Sequence, residues 1–339
     1  MIRGTRKLIW TLAAGLLATL AVVTACADDE ADTGAGTATE TVSPTAAGAS
    51  YQFDCEGDHP GTTPDAQAFP VEVADDTGAT ITLEEPPTAI AALSAGHTEM
   101  LYAMAAGDQL IAGDNFSDCP SAAAELEHLD SFEPSVEAII ALAPDLVIMT
   151  YDPGDVRRSL EDASIPVFFV NSPESVEGVY DQVLLLGEVT GHVAESEALV
   201  TDMSDAIEEI EASLDGAGQS PSVFHEVDTS YYSAGPGSFV ADLYDILRVE
   251  NIATATGEPF PLMNEEAIID GAPEVIILAD EAAGESAETV KARAGWGSIP
   301  AVQGDRIYAV DPDIISRPGP RLVEAIRTLA KLLYPDEFP

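Results

Sequence analysis

Two of the histidines that lie close to a carboxylate in the sequence are the first candidates for metal chemistry. His97 lies near Glu99, and His225 stands next to Glu226. If both histidines met in one cleft, they could ligate haem iron or a bare zinc or manganese ion. A bare divalent ion would need three or four converging ligands, and isolated histidines at element ends are usually capping or surface groups. We therefore expect no metal site, and haem and a bare divalent metal remain alternatives.

The motifs of several common enzyme classes do not occur in the sequence. It contains no HExxH zinc motif, no GxSxG nucleophile elbow and no glycine-rich dinucleotide loop after a strand. The segment 235–238, Gly-Pro-Gly-Ser, is more simply a loop whose serine caps the next helix. We therefore expect a binding protein with no catalytic residues and no cofactor, and a hydrolase is the weakest alternative.

The N-terminus is typical of an exported protein. Three basic residues within the first seven precede an uninterrupted run of apolar or small residues from 8 to 25, which is followed by Cys26. The segment Val-Thr-Ala-Cys at 23–26 resembles a bacterial lipobox, which implies cleavage before Cys26 and acylation of its thiol. We expect a signal peptide at 1–25 and a lipid anchor at Cys26. A simple membrane anchor is the alternative, because the run reaches the roughly 18 residues of a spanning helix.

The two other cysteines, Cys55 and Cys119, form an even pair in an oxidising compartment. We predict a disulfide between them that ties the N-terminal segment to the first half of the folded body, with two unpaired buried thiols as the alternative.

Composition separates a tether from a folded body and excludes one class of partner. Residues 26–50 carry almost no large apolar side chain, so they indicate a flexible tether. The whole chain has 60 acidic and 13 basic residues, a net charge of −47. Nucleic acid is excluded as a partner, because binding it needs clustered Lys and Arg. We interpret the acidic surface as an adaptation, for example to a saline habitat, and not as a functional site.

Short β-rich runs alternate with helical segments from residue 69 onward, which predicts α/β lobes with parallel sheets. We expect an N-terminal lobe at 51–190, a connecting helix within 191–218 and a C-terminal lobe at 219–339. A hairpin is predicted over 69–83. Helices are predicted over 98–106 and from Ser172, with Pro173 in its first turn.

Four blocks carry a family resemblance, and they lie at 93–113, 131–149, 231–247 and 306–322. In order and spacing, these blocks resemble the class III periplasmic binding proteins that serve ABC importers of iron–siderophores, haem and cobalamin. The resemblance implies two Rossmann-like α/β lobes joined by a long helix, with the ligand in the cleft between them.

The same resemblance implies two docking residues. In that family, one glutamate at each lobe tip pairs with arginines of the permease, and the matching positions are Glu137 in PSVEAII and Glu266 in NEEAII. Charges so placed fix orientation and speed association. The alternative is that both glutamates only stabilise the first turn of a helix through its dipole.

Ligand-contacting residues are expected in the loops between strands and helices, where aromatic side chains suit broad organic ligands. The candidates are Asn115, Phe116, Phe132, Tyr151, Tyr231, Tyr232, Asp313 and Arg317. Arg317 and Arg321 are candidates to face an anionic ligand; the alternative for Arg321, which begins the last helix, is a structural role. Because arginine is scarce and the protein's field is negative, a neutral or cationic ligand such as a corrinoid or an iron–hydroxamate is favoured over a triscatecholate.

The sequence thus predicts a monomeric receptor at the extracytoplasmic face of the plasma membrane, held there only by its lipid. Its expected partners are a metal chelate, an ABC permease and the ATPase of that permease.

Overall fold

The computed structural model describes residues 51–218 and 220–338, which belong to one compact unit. The predicted signal peptide, the lipid site Cys26 and the predicted tether lie outside the described residues. Within those residues, no helix is long and apolar enough to cross a membrane.

An antiparallel hairpin precedes the first lobe. It pairs β1 (Val71–Ala74) with β2 (Thr80–Leu83), as predicted for 69–83. The Asp75 carboxylate accepts hydrogen bonds from the amides of Thr77 and Ala79, which closes the turn. Cys55, upstream of the hairpin, is disulfide-bonded to Cys119, so the predicted pairing is present.

A five-stranded parallel sheet forms the N-terminal lobe, in the order β5-β4-β3-β6-β7. Its strands β3 and β6 are buried over their whole length, as expected for apolar runs covered by helices on both faces. The elements are β3 (Ile90–Leu93), α1 (Ala95–Ala103), β4 (Leu110–Asp114), β5 (Glu127–Leu129), α2 (Val136–Leu142), β6 (Leu146–Met149), α3 (Val156–Asp162) and β7 (Val167–Phe169).

Two helices lie between the strands of the two lobes, namely the helix predicted from Ser172 and the connecting helix predicted within 191–218. They are α4 (Val176–Thr190) and α5 (Val193–Ser213), which pack against each other on either side of a turn at Gly191. Gly191 has φ +80°, a left-handed conformation that ends α4 without steric cost. Helix α5 falls within the predicted connecting segment 191–218.

A four-stranded parallel sheet forms the C-terminal lobe, in the order β11-β10-β8-β9. With the sheet of the first lobe, it confirms the predicted α/β fold class. Its elements are β8 (Ser222–Glu226), α6 (Phe239–Ile246), β9 (Glu250–Asn251), α7 (Glu265–Gly271), β10 (Val275–Leu278), α8 (Ala287–Ala292), α9 (Pro300–Gln303), β11 (Ile307–Ala309), α10 (Pro312–Ile315) and α11 (Leu322–Leu333).

Two helix starts differ from the prediction. Helix α1 begins at Ala95, not at residue 98, because Ser94 is extended and the chain turns helical directly after it. Helix α4 begins at Val176, because the Ser175 hydroxyl accepts the Gly178 amide hydrogen bond and so acts as the cap. Ser172, predicted to be that cap, lies in the preceding loop.

One apolar core runs through both lobes. Side chains of α1, α4, α5, α6 and α11 join the inner faces of the two sheets in a single buried cluster. Separate clusters fill the outer face of each lobe, under α2 and α3 on one side and around Trp296 on the other. Because the central cluster belongs to both lobes, separating them would expose its apolar surface to water, which opposes a wide opening.

Candidate functional site

A cleft lies at the carboxyl ends of the strands, where open parallel sheets usually bind ligands. Its first part is a cavity of about 380 Å³. The walls combine the Ser94–His97 segment and two aromatic rings of the N-terminal lobe with the segment after β11. The lining residues include Phe116, Phe132, Thr150, Ser172, Pro173, Gln182, Asp313, Ser316, Arg317 and Pro318.

A second cavity, also of about 380 Å³, continues the first into the C-terminal lobe. The two cavities share four lining residues, Ser172, Pro173, Ser316 and Pro318, so they form one continuous cleft. Phe239, Pro259 and Phe260 give the second cavity an apolar wall. Such a site can hold a ligand that spans both lobes.

Three aromatic side chains form an exposed row on the N-terminal lobe. The ring centroids of Phe116 and Phe132 are 6.1 Å apart, and those of Phe132 and Tyr151 are 6.4 Å apart. Phe132 is 61% exposed, although burying such a side chain is worth about 1.5–3 kcal/mol. An exposed aromatic row of this kind marks a binding surface.

The C-terminal lobe contributes exposed apolar side chains that sequence reasoning missed. Phe260 is 61% exposed and Leu262 is 60% exposed, and Leu262 pairs through its backbone with the exposed Tyr232. The only sequence signal for them was the segment Glu-Pro-Phe-Pro-Leu at 258–262, in which apolar residues alternate with prolines and so stay outside regular structure.

The predicted ligand residues divide into two groups by position. Phe116, Phe132, Asp313 and Arg317 line the first cavity. The others line neither cavity: Tyr151 adjoins the aromatic row, Tyr232 lies next to Leu262, and Asn115 is exposed beside Phe116. These positions do not test any residue's role, so the ligand contacts remain predictions.

Tyr231 lies apart from the cleft lining. Its hydroxyl donates to a Glu265 carboxylate oxygen at 3.0 Å, and its ring centroid is 5.7 Å from that of Trp296. The Arg293 guanidinium lies 5.1 Å from the Tyr231 ring and 4.5 Å from the Trp296 ring, in cation–π geometry. Tyr231 therefore ties the start of α7 to the aromatic pack of the C-terminal lobe.

A buried ion-pair network joins the two lobes at the edge of the cleft. Glu99, on α1 of the N-terminal lobe, accepts two hydrogen bonds from Arg321, at 2.7 and 3.0 Å, and one from Arg317 at 2.8 Å. The Glu99 side chain is only 1% exposed. Bidentate Arg–carboxylate pairs of this kind are directional as well as strong. The network therefore fixes how the lobes face each other.

Arg317 is held in this network by three carboxylates. Besides Glu99, it contacts Asp313 at 2.9 Å and Asp118 at 3.2 Å. Burial opposes the charge of Arg317, but hydrogen bonding to Glu99 and the nearby carboxylates raise its pKa above the ordinary value. Arg317 is positively charged, but the neighbouring carboxylates balance its charge, so it adds little positive potential to the cleft for an anionic ligand.

The two histidines are not brought together. His97 lines the first cavity, while the Nδ1 atom of the fully buried His225 lies 2.8 Å from the Tyr244 hydroxyl. Burial lowers the pKa of each imidazole to about 4, so both are neutral at physiological pH. Across the described part of the chain, no group of three or more His, Cys, Asp and Glu side chains is placed to hold a metal ion.

A second buried charge cluster lies at the carboxyl ends of β8 and β10. Arg293 donates to Glu226 at 2.5 and 2.6 Å and to Glu285 at 2.6 Å. Asp280, nearby, is buried, and neither carboxylate oxygen has a hydrogen-bond partner. Burial, followed by repulsion from Glu226 and Glu285, raises the pKa of Asp280 to about 7.

Comparisons with known proteins agree with this geometry. A family model for periplasmic binding proteins matches residues 90–314. The chain belongs to the periplasmic binding protein family. The predicted family resemblance and two-lobed fold are therefore confirmed, and the chain is a substrate-binding component of an ABC importer.

Alignments with individual relatives cover most of this periplasmic binding protein. An uncharacterized ABC transporter substrate-binding lipoprotein of Bacillus subtilis, YvrC, is 32% identical over 280 residues, covering 80% of this chain and 88% of the relative. A cobalamin-binding protein of Halobacterium salinarum is 27% identical over 287 residues, covering 79% and 75%. The crystal structure of a possible iron-binding protein of Staphylococcus epidermidis has a TM-score of 0.68 at 27% identity, covering 74% and 100%.

The two predicted docking glutamates occupy equivalent places in this periplasmic binding protein. Glu137 lies in the first turn of α2, and Glu266 lies in the first turn of α7; both are exposed. Each helix has seven residues and a side-chain cap, from Ser135 in α2 and from Asn264 in α7. Each lobe thus presents one glutamate on the same kind of short helix.

The equivalence continues into the strands. Both helices end at an alanine in left-handed conformation, Ala143 and Ala272, and β6 or β10 follows. Between helix and strand, Asp145 accepts hydrogen bonds from the amides preceding β3, and Glu274 accepts one from the first amide of β8. This repeated helix–strand unit anchors α2 and α7 each to the centre of its own sheet.

The Glu99 network predicts a specific stability difference. Glu99→Gln should lower the free energy of unfolding by about 3 kcal/mol, because it leaves the buried Arg321 without a carboxylate and removes the most buried of the three carboxylates that hold Arg317. The matched control is Asp118→Asn, which removes a 66% exposed partner of the same Arg317 and should cost about 1 kcal/mol or less. Urea unfolding at pH 7 measures both. Equal losses in the two variants would contradict the role given to Glu99.

Asp280 predicts a pH dependence of stability. Since its pKa is raised from 3.8 to about 7, folding binds a proton and its contribution is lost as the pH rises through 7. Asp280→Asn should therefore increase the free energy of unfolding at pH 8 by about 1–2 kcal/mol and leave it nearly unchanged at pH 4. Urea unfolding across this range is the measurement, with the exposed Glu281→Gln as control. A gain that does not grow with pH would refute the assignment.

Proposed function

We propose that this protein captures a broad, uncharged metal chelate, in the first place a cobalamin-type corrinoid, and delivers it to the permease of an ABC importer. An iron–hydroxamate siderophore is the next candidate within the same class. The observation that carries the proposal is the cleft itself, in which exposed aromatic and apolar side chains of both lobes face a space lined by a single, already neutralised arginine.

The electrostatics of the cleft favour such a ligand. Arg317 is the only Lys or Arg among the described residues that line the two cavities, and its charge is balanced by Glu99 and Asp313. Glu174 adds a negative charge to the second cavity. A triscatecholate complex carries several negative charges, and these would be repelled here. A neutral corrinoid or hydroxamate complex can stack on the exposed aromatic side chains without this electrostatic repulsion.

The relatives support the same ligand class. The Halobacterium salinarum relative is named as a cobalamin-binding protein, and the Staphylococcus epidermidis structure is described as a possible iron-binding solute-binding protein. Haem is the alternative ligand, because His97 lines the cleft and imidazole is a common ligand of haem iron. Haem propionates would, however, meet the same negative field as a catecholate.

The site of action follows from the export signal. We propose that Cys26 carries the lipid that anchors the chain to the outer face of the plasma membrane, with residues 26–50 as a tether. The Bacillus subtilis relative is named as a lipoprotein, which supports this proposal.

Calorimetric titration of the intact chain in detergent tests the ligand. Cyanocobalamin, ferrioxamine, a ferric triscatecholate and haem are compared; we expect saturable one-to-one binding of cyanocobalamin and none of the triscatecholate. Calorimetry is preferred to fluorescence, because Trp296 is fully buried beneath Arg293 and away from the cleft lining. Tight binding of the triscatecholate or of haem alone would overturn the proposal.

Charge reversal tests docking separately from ligand capture. The double variant Glu137→Lys, Glu266→Lys should lower cellular ligand uptake by roughly 10-fold or more and leave ligand affinity unchanged, because both side chains are exposed on short helices and line neither cavity of the cleft. The matched control is Glu84→Lys, Glu197→Lys, which makes the same charge change at two exposed glutamates elsewhere. Unimpaired uptake by the first variant would contradict the docking role.

A further inference from the structure

One ring nitrogen in the cleft wall has no partner. His97 stands in the first turn of α1 and lines the first cavity, and its side chain is almost fully buried, with the residue 2% exposed. Its Nε2 atom lies 3.2 Å from Oε1 of Gln182, which also lines the cavity. Its Nδ1 atom is buried and makes no hydrogen bond. A buried polar atom left without a partner destabilises the protein, so a ligand that supplied the partner would gain affinity.

The neighbouring amide fixes which nitrogen carries the proton. Gln182 donates from its Nε2 atom to the backbone carbonyl of Asn171, so its Oε1 atom is the one that faces His97. An amide oxygen only accepts hydrogen bonds, and therefore Nε2 of His97 must be the donor. In a neutral imidazole the other nitrogen, Nδ1, then carries a lone pair and can only accept.

The two charged groups that act on the protonation of His97 are both negative. The carboxylates of Asp114 and Asp76 are the charged groups that act on it, and Gln182 is its uncharged neighbour. These charges favour protonation, yet burial outweighs them and keeps the ring neutral. A lone pair in a negative field repels a ligand carboxylate and attracts an N–H group.

We propose that Nδ1 of His97 accepts a hydrogen bond from an amide N–H of the bound ligand, so that His97 selects an amide side arm over a carboxylate. The inference rests on the proposed function and narrows it to amide-bearing chelates such as corrinoids. A slender donor group suits this site better than a broad macrocycle, because the imidazole lines the first cavity but is almost fully buried in its wall.

The experiment uses cyanocobalamin and its monocarboxylic derivatives, in each of which one peripheral amide is an acid. Affinities are measured by calorimetry at pH 7 with the intact chain in detergent. The wild-type protein should bind at least one monoacid about 10-fold or more weakly than cyanocobalamin, since one lost hydrogen bond and a repelled charge are worth at least about 1.4 kcal/mol.

Variants assign that discrimination to His97. His97→Phe should weaken cyanocobalamin binding about 10-fold and abolish the difference between amide and acid. His97→Asn, which keeps an acceptor oxygen, should retain part of the discrimination. His59→Phe is the control, because His59 lies in the N-terminal segment and lines neither cavity of the cleft. Discrimination that survives in His97→Phe would overturn the proposal.

Two further outcomes are distinguishable. If the wild-type protein binds cyanocobalamin and every monoacid equally, the role of His97 is wrong and the proposed function stands. If no corrinoid and no hydroxamate complex binds, both are overturned. Metal coordination is a separate result: a shift in the visible spectrum of aquacobalamin on binding to wild type, absent in His97→Phe, would make His97 a metal ligand and overturn the hydrogen-bond proposal.

Discussion

The buried carboxylate of Glu99 is the contact on which the geometry of the cleft depends. It sits on the first helix of the N-terminal lobe and is bound by two arginines from the end of the chain. The backbones also meet there, because a Cβ atom on Gly96 would lie 2.5 Å from the Pro318 carbonyl oxygen. A charge taken out of water is stable only when its partners stay in place. The two walls of the cleft are therefore held at one distance.

The two lobes also share a hydrophobic core around this ion-pair network. A single apolar cluster includes side chains from both sheets and from the helices between them, and Arg327 on α11 donates to the backbone carbonyl of Tyr51 near the start of the described chain. The cleft is thus an opening in one packed body. The exposed aromatic row of the N-terminal lobe cannot pack against the opposite wall of the cleft, because the close-packed core holds the two walls apart.

Most of the fold could be predicted from the sequence, because buried parallel strands appear as continuous apolar runs. Leu146–Met149 is such a run, and it forms β6 with all of its residues buried. The helix starts were harder. Ser172 and Ser175 both have the chemistry of a cap, and only the hydrogen bond from Gly178 distinguishes them. The turn at Gly191 was easier, because a glycine can adopt the left-handed conformation that ends a helix, and the predicted connecting segment starts at this residue.

The cleft was predictable only in part, for a physical reason. Phe116 and Phe132 follow strands, so their location at the carboxyl edge follows from topology. Arg317 was expected to face an anionic ligand, but its partner Glu99 is 218 residues away in the chain, and no local pattern reveals such a pair. The same holds for His97, whose accepting nitrogen is defined by Gln182 on another helix. Phe260 was missed because its loop has no regular spacing.

If Glu137 and Glu266 dock on the permease, as proposed, the repeated helix–strand unit has a consequence for recognition by the transporter. Each of the helices α2 and α7 is anchored to its own sheet, and the two sheets share one core, so filling the cleft could change the spacing between Glu137 and Glu266 only by deforming that core. A permease that measured only this spacing would be blind to occupancy. Ligand-free and ligand-bound receptors would then compete for the same site on the permease. Transport would have to be triggered by the bound ligand and not by the docking contacts.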